Sequence, residues 1–519
     1  MKRNLLFLLM AFMTLSFGAC NDDTKENDDN QNGNGTITIE WATNADFDTI
    51  AIESNMAGKA VIEIKAEAGI KSLQLNINSP ALTDDVLALV GLSTSVDLAT
   101  VELTAEQAAI VAGLPFGDAV KDQTAVMFDV SNLVPMILAL PNNAGDHVFS
   151  IVVTDNNNKT AEKDLVFNYT EPANLSVSDI DLWANTALVT AKGLSEDAKV
   201  QYREQGTEAW FDATANDNGT YTIAPVWNES TNNAGLTVYT PAEGTGVWAG
   251  KTYEYRILEG ETETFSSTFT PEGTGDIIPN GDMSAWSLKD GSLPYPNAEG
   301  DTLWDSGNNS MVTLFKNPHL CDEDESLGCA KLTSASTLGI LASGNLFTGK
   351  FVMASTSGTV HFGQPYTYTA RPSALKLRYH ATIGDVNSSN STAGVKIEEG
   401  QPDIAVIYVA IIDWSERHSV ISGLAGENTG AGSWNPATME GLDAEKEKVI
   451  AYGLYDITTS TAGEDLVDLT IPLNFYDKDA AAPQGNYTLV ISCSCSKYGD
   501  YLNGCSSNVM YVDDFQWVY

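Results

Sequence analysis

Short segments in which apolar and polar residues alternate occur along most of the chain, for example at residues 36–41, 73–77 and 509–519. A period of two places successive side chains on opposite faces of a strand, whereas an amphipathic helix needs a period near 3.6. With 519 residues, the chain is also too long for one hydrophobic core. The sequence therefore predicts an all-β protein, in the main, that is built from several sandwich-like domains.

The first nineteen residues have the three parts of a bacterial secretion signal. Lys2 and Arg3 precede an apolar run at 5–15, and small residues follow as far as Ala19. The run is too short to cross a bilayer. Because Cys20 follows directly, we expect a lipoprotein signal peptide over residues 1–19 and a lipid on Cys20. An ordinary secreted protein is the alternative.

Residues 20–35 are expected to form a disordered acidic tether. Positions 21–35 hold no apolar residue, so they cannot bury a core. The start of this segment, Asn21-Asp22-Asp23, resembles the export tag of Bacteroidetes surface lipoproteins. That resemblance implies a lipid-anchored protein on the outer membrane, exposed at the cell surface.

The formal net charge of -42 constrains the partners of the protein. Nucleic-acid binding depends on Lys and Arg displacing counterions, so DNA and RNA are excluded as expected ligands. A large charge keeps an exposed protein soluble and favours a monomer. It is also compatible with cation binding.

Residues 36–170 are predicted to form an immunoglobulin-like sandwich with a helical insertion. A hairpin is expected near the end, with arms at 147–154 and 161–169. Between the strands, Thr104 is placed as a helix N-cap with Gln107 three residues on, the pattern of a capping box.

Two further β domains are expected. Residues 172–271 contain the stretches 200–210 and 250–256, which resemble two strands of a fibronectin type III domain, with Tyr253 placed like its corner tyrosine. After a boundary rich in Gly and Thr, residues 276–519 end on an alternating strand. A terminal strand of this kind is typical of a jelly roll.

Five ordered motifs in the last domain carry a family resemblance. They lie at 303–308, 343–351, 362–365, 371–376 and 496–501. Together they are similar to the carbohydrate metabolism domain of Bacteroidetes surface lipoproteins. The resemblance implies a jelly roll like those of carbohydrate-binding modules, with a polysaccharide or other glycan as partner.

A glycan site combines flat aromatic faces with amides, carboxylates or a guanidinium that bond sugar hydroxyls. The candidates are Trp304, Asp305, Asn308, Arg371, Asp413, Trp414, Tyr498, Asp500 and Tyr501. Structural roles are the alternative: core packing for the tryptophans, turn hydrogen bonds for the Asp and Asn side chains, and an ion pair for the arginine.

Related jelly rolls hold a structural calcium between the first strand and the last, and calcium prefers oxygen ligands. The resemblance thus implies Asn280, Asp282 and Asp513 as candidate metal ligands. Met283-Ser284 departs from the Phe-Glu of the family. No cofactor is otherwise required.

Five cysteines lie in the second half of the chain, at Cys321, Cys329, Cys493, Cys495 and Cys505. In an oxidising compartment, Cys321 could pair with Cys329, and Cys505 with Cys493 or Cys495. The alternative, a zinc site, has no support from the spacing.

The sequence favours a cell-surface lipoprotein that binds glycans without catalysis through its jelly roll, with the preceding sandwiches as spacers. One alternative is a carbohydrate-active enzyme resembling a glycoside hydrolase, which needs two facing carboxylates. The short motifs of serine hydrolases and zinc proteases are absent, and no catalytic residue is assigned. The other alternative is an adhesion or assembly component of the cell surface.

Overall fold

A computed structural model describes residues 36–42, 49–111, 113–131, 133–272, 277–354, 357–389, 397–423, 434–484 and 487–519. The predicted signal peptide, the lipidated Cys20 and the acidic tether lie outside these residues. The chain divides into two compact units, Met1–Pro172 and Ala173–Tyr519. Within the described residues, no helix is both long and apolar enough to span a membrane.

The first unit is a β-sandwich with short helices between its strands. Its described elements are β1 (Ile37–Trp41), β2 (Ile50–Ala51), β3 (Val61–Ala66), β4 (Ile70–Asn78), α1 (Asp84–Leu87), β5 (Ser95–Asp97), α2 (Ala105–Ile110), β6 (Ala125–Asp129), β7 (Gly145–Asp155) and β8 (Thr160–Tyr169), with 3-10 turns at Ala88–Val90, Gly117–Ala119 and Val134–Ala139. The sheets β1-β3-β6 and β2-β8-β7-β4-β5 share one apolar core.

Local sequence signals explain two of these elements. The side chain of Thr104 accepts from the backbone N–H of Gln107, and the side chain of Gln107 accepts from the N–H of Thr104, so the predicted capping box is confirmed. In the β7–β8 hairpin, Asn158 has a φ of 62°, a left-handed conformation that asparagine tolerates.

The second unit begins with a smaller sandwich. Its strands are β9 (Asn174–Asp181), β10 (Thr186–Lys192), β11 (Ala198–Glu204), β12 (Phe211–Asp212), β13 (Thr214–Ala215), β14 (Thr220–Ile223), β15 (Trp227–Thr231), β16 (Thr237–Pro241), β17 (Tyr253–Glu259) and β18 (Thr262–Phe269). The sheets are β13-β14-β10-β9 and β12-β11-β17-β18. Tyr253 is buried, and its hydroxyl accepts from the backbone N–H of Trp248 at 2.8 Å, as expected of a corner tyrosine.

The rest of the second unit is a two-sheet jelly roll. Its described elements are β19 (Ser287–Lys289), β20 (Leu293–Tyr295), β21 (Trp304–Asp305), α3 (Ser310–Leu314), β22 (Cys321–Asp324), β23 (Cys329–Thr333), β24 (Ala335–Thr337), β25 (Ile340–Ala342), β26 (Asn345–Ala354), β27 (Ser357–Phe362), β28 (Ala374–Thr382), β29 (Ala405–Trp414), β30 (Ser419–Gly423), β31 (Glu447–Ile457), β32 (Val467–Pro472), β33 (Asn474–Phe475), β34 (Leu489–Ser494) and β35 (Val509–Val518), with a 3-10 turn at Gly499–Tyr501.

The larger sheet has the order β15-β16-β33-β31-β29-β34-β26-β27-β30, and β21 also pairs with β26. The facing sheet has the order β22-β23-β35-β28-β32. Residues from both sheets, such as Ile407 on β29 and Leu377 on β28, form one core. The mainly β architecture predicted from residue alternation is confirmed.

The smaller sandwich and the jelly roll share hydrogen bonds as well as a core. The β15–β16 hairpin joins the larger jelly-roll sheet through the pairing of Tyr239 with Phe475. Trp183 belongs to the jelly-roll core, and its indole N–H donates to the carbonyl of Ala480 at 2.7 Å. Residues 173–519 therefore form one packed unit.

Candidate functional site

A cavity of about 520 Å³ lies on the face of the larger jelly-roll sheet that points away from the main core. Strand β29 explains the placement, because its residues alternate between two environments. Ile407 and Val409 face the core between the sheets. Val406 and Tyr408 line the cavity on the opposite face.

Side chains from three neighbouring strands form the floor of the cavity. Ser494 on β34 lies between Val406 on β29 and Asn345 on β26 in the strand register. Two pairs further along, on the same face, Ser492 lies beside Tyr408, and their side chains are hydrogen bonded. The floor thus presents one aromatic ring together with two hydroxyls and an amide.

A first wall is formed by the second half of β26 with β27 and β30, which contribute Phe351, Met353, Val360 and Ser422. Gly358 makes the arrangement possible, since a Cβ at this position would lie 2.6 Å from the ring of Phe351. The glycine therefore lets the aromatic ring lie flat against β27.

The opposite wall and the end of the cavity come from shorter elements. Helix α3 and the turn between β24 and β25 supply Met311, Phe315 and Leu338. The turn at Gly499–Tyr501 supplies Asp500, whose backbone carbonyl accepts from the Ser422 hydroxyl at 2.8 Å. This bond joins the first wall to the end of the cavity.

A buried carboxylate anchors the segment that carries Asp500. The Oδ2 atom of Asp403 accepts from the Ser496 hydroxyl at 2.6 Å, the Cys505 N–H at 2.7 Å and the Asn508 amide at 2.9 Å. These three donors lie on either side of the turn. Charge-assisted hydrogen bonds of this kind hold the turn at the cavity.

Asp500 is the one acidic side chain among the described residues that line the cavity. Its burial raises the pKa from the ordinary 3.8 to about 6. Lys497 also lines the cavity, but its ammonium is paired with Asp456 at 2.6 Å. The site therefore contains one ionisable carboxyl that titrates near neutrality.

Replacing Asp500 with Asn is expected to change how stability depends on pH. The pKa is higher in the folded chain than in the unfolded chain, so the folded state binds more protons between pH 4 and 6 and stability falls as the pH rises through that range. At pH 7.5 the Asp500→Asn variant should be more stable by about 3 kcal/mol, with a much smaller difference at pH 4. Urea unfolding at both pH values measures this. If the difference in unfolding free energy between the variant and the wild type is the same at both pH values, the raised pKa of Asp500 is contradicted.

Comparison with known proteins gives one family match. A family model described as "Putative carbohydrate metabolism domain" matches residues 287–518. The C-terminal part of the chain carries this domain. The comparison with curated proteins gives no match. The matched residues include every strand of the cavity floor and walls, so the site lies within the carbohydrate metabolism domain.

Three solved structures resemble the chain at low identity. Two are described as putative glycoside hydrolases, from Bacteroides vulgatus ATCC 8482 and Bacteroides thetaiotaomicron VPI-5482, with identities of 20% and 15% and TM-scores of 0.31 and 0.30. The matches cover 45% and 65% of this chain, and 89% and 87% of those chains. A carbohydrate-binding module of the β-sandwich superfamily is 13% identical, with coverages of 67% and 98% and a TM-score of 0.15.

Within the carbohydrate metabolism domain, the first predicted glycan motif has a structural role. Trp304 is fully buried, and its indole N–H donates to the carbonyl of Pro279 at 2.8 Å. Asp305 accepts from Lys289 at 2.6 Å, and Asn308 bonds the backbone of Cys321 through both amide atoms. None of the three has an accessible face for a sugar, so the alternative interpretation as core and turn residues applies.

Arg371 and Trp414 are also buried. The guanidinium of Arg371 donates to the carbonyls of Lys478 and Ala480 at 2.6 and 3.0 Å, and it forms no ion pair with any described residue. Trp414 packs in a second apolar cluster of the domain. Asp413 is partly buried on the other side of the same strand. The structure brings none of these three to the cavity.

Of the three predicted glycan-binding residues in the last motif, Tyr498, Asp500 and Tyr501, only Asp500 lines the cavity. Tyr501 is buried, and Tyr498 is partly buried outside the lining. Sequence reasoning missed the floor, although a signal for it existed. In Ser492-Cys493-Ser494-Cys495, serines alternate with buried cysteines, which places the hydroxyls on one face of the strand.

Of the three predicted calcium ligands, Asp282 lies close enough to Asp513 to raise its pKa, and among the described residues the buried Oδ1 of Asp513 has no hydrogen-bond partner. The amide of Asn280 is used by the protein, since it donates to the carbonyls of Ala285 and Pro296 and accepts from the N–H of Ala285. Burial raises the pKa of Asp513 to about 6, and the Arg378 guanidinium lies 4.0 Å away. Among the described residues, no group of three His, Cys, Asp or Glu side chains could hold a metal ion. Calcium also takes amide and backbone carbonyl oxygens as ligands, so the calcium site stays a prediction.

The predicted disulfides are absent, because all five described cysteines are buried free thiols. In the β22–β23 hairpin, Cys321 pairs with Leu332 and Cys329 with Asp324. The two cysteines are thus offset by three residues, roughly 10 Å along the strand, too far for a disulfide. Burial raises the pKa of Cys495 to about 12, and such thiols act as small apolar side chains.

Proposed function

We propose that this protein binds a glycan, without catalysis, in the cavity on the larger sheet of its carbohydrate metabolism domain. The observation that carries the proposal is the floor, where Tyr408 lies beside the polar side chains of Ser492, Ser494 and Asn345. An aromatic ring can pack on the apolar face of a sugar while neighbouring hydroxyls and amides bond its polar edge.

The absence of an acid pair supports binding over hydrolysis. Glycoside hydrolases use two carboxyl groups on opposite sides of the scissile bond. Asp500 has no acidic counterpart among the described lining residues of the cavity. Its carboxyl can bond a sugar hydroxyl, but one acid cannot supply both required groups.

An enzyme is the second candidate, because the pKa of Asp500, raised by burial to about 6, suits a general acid. Release of reducing sugar from a polysaccharide panel tests it. Activity that vanishes in Asp500→Asn would favour the enzyme. Polysaccharide binding without any release of reducing sugar would favour the non-catalytic role.

The proposed location is the cell surface, with Cys20 as the lipid anchor in the outer membrane. The motif at residues 1–20 and the acidic segment after it support this. The protein is proposed to be a monomer whose preceding sandwiches act as spacers. Labelled palmitate should enter the wild-type chain but not Cys20→Ala. Crosslinking of whole cells to one protein partner, without any response to sugar, would favour the adhesion alternative.

Native affinity electrophoresis of the whole protein tests glycan binding. We expect at least one polysaccharide of a broad panel to retard migration at pH 7.5, while bovine serum albumin runs unchanged. If no polysaccharide of the panel retards the protein, glycan binding is contradicted.

A further inference from the structure

The side walls of the cavity are mainly apolar, although Ser422, Asn309, Asn317 and Thr337 also line the cavity. Phe351, Met353 and Val360 lie on one side, and Met311, Phe315 and Leu338 on the other. A bare sugar surrounds itself with hydroxyl groups that need hydrogen-bond partners, and walls of this kind supply few. The walls are therefore complementary to a ligand that is itself partly hydrocarbon.

The apolar side chains at the mouth of the cavity are exposed. Leu338 is 87% exposed, Phe315 43% and Met311 38%. Scattered apolar residues are normal on a surface, but a group of them around one concave site marks a binding surface. Covering these three side chains would remove apolar area from water in the same step that fills the cavity.

The polar groups of the cavity occupy a different part of its surface. Ser492, Ser494 and Asn345 are neighbours on the sheet floor, and Asp500 lies on the turn at the end. The cavity is thus divided into a polar floor and mainly apolar walls. Its volume of about 520 Å³ falls within the usual range for a small-molecule site.

Charge limits the polar part of the ligand. The formal net charge of the chain is -42, and Lys497, the one basic side chain among the described lining residues, is already paired with Asp456. Asp500 adds a negative charge above about pH 6. A phosphate or carboxylate head group would be repelled here. A neutral saccharide head group meets no such repulsion.

We infer that the cavity binds a neutral saccharide that carries one hydrocarbon chain. The chain lies between the wall of Phe351, Met353 and Val360 and the wall of Phe315 and Leu338, and the sugar lies on the serine floor. This inference rests on the proposed glycan binding and names the class of glycan.

Calorimetric titration of the whole protein at pH 7.5 with alkyl maltosides, below their micelle concentrations, tests the inference. We expect affinity to rise about fourfold per added methylene from hexyl to decyl maltoside, the value that corresponds to about 0.8 kcal/mol per buried CH2. Maltose should bind at least 100-fold more weakly than decyl maltoside. Decyl phosphate, which has the same chain on an anionic head group, should bind at least tenfold more weakly than decyl maltoside.

Two variants show where the chain binds. Leu338→Asp places a charge at the exposed mouth of the cavity, where folding does not depend on the side chain. This variant should bind decyl maltoside at least tenfold more weakly than the wild type. Leu327 is also exposed, at 44%, but lies in the β22–β23 turn outside the cavity lining. The matched control Leu327→Asp should bind as the wild type does.

The outcomes separate this inference from the proposed function. Polysaccharide binding with no effect of alkyl chain length would overturn the hydrocarbon-chain inference and leave glycan binding in place. If decyl phosphate binds as tightly as decyl maltoside, the inference that the head group is a neutral saccharide is overturned. No binding of any alkyl maltoside, or equal effects of the two Leu→Asp variants, would also overturn the inference.

Discussion

Replacing Ser494 with Trp should abolish polysaccharide binding, with an affinity loss of at least 100-fold, about 2.7 kcal/mol. Ser494 lies in the centre of the cavity floor between Val406 and Asn345, and it is partly exposed to the cavity. An indole there fills the space that the sugar needs. Affinity electrophoresis and calorimetry on the polysaccharide that retards the wild type measure the loss.

Thr470→Trp is the matched control for this variant. Thr470 is exposed on β32, in the facing sheet, and is not part of the cavity lining. The control should bind as tightly as the wild type, and both variants should keep the β-sheet circular dichroism spectrum. If Ser494→Trp binds normally while folded, the sugar does not occupy this floor.

Replacing Arg371 with Ala should destabilise the second unit by about 3–5 kcal/mol. The guanidinium is fully buried and packs between rings, with its carbon Cζ 5.0 Å from the centre of Trp183, 5.7 Å from Trp227 and 4.7 Å from Phe475. Burial lowers its pKa to about 10, so it stays charged at pH 7. Its loss leaves the Lys478 carbonyl without this donor, removes one of the two donors to the Ala480 carbonyl, and opens a void among three rings.

Arg378→Ala is the control, because it removes the same side chain from an exposed site. The Arg378 side chain is 40% exposed and lies 3.5 Å from the carboxylate of Asp514. Exposed ion pairs contribute about 0–1 kcal/mol, so little change is expected. Urea unfolding at pH 7 measures both variants. If both variants lose the same small amount of unfolding free energy, Arg371 does not hold the smaller sandwich to the jelly roll.

The sequence predicted the fold well where local rules decide it. The capping box at Thr104 and Gln107, the hairpin β7–β8 and the corner Tyr253 all depend on residues close in the chain or on a repeated strand pattern. These features need no knowledge of how distant segments meet.

The sequence predicted the candidate site poorly, because burial there is set by distant segments. Tryptophans often pack against sugar rings, so Trp304 and Trp414 are reasonable candidates. Only the packing of other strands shows that their rings are covered. Arg371 contacts Trp183 and Ala480, which are more than 100 residues away. The cavity combines β26, β29 and β34 with α3, an arrangement that no local motif encodes.

The most direct test of the central claim is the position of bound sugar in a crystal structure of the whole protein, grown with an oligosaccharide of the retarding polysaccharide. We expect density for a sugar ring over Tyr408, within hydrogen-bond distance of Ser494 and Asp500. A second, smaller cavity between Asn233 and Tyr476 serves as an internal comparison. Sugar density in the smaller cavity alone, with the floor of the larger cavity empty, would contradict glycan binding in the larger cavity.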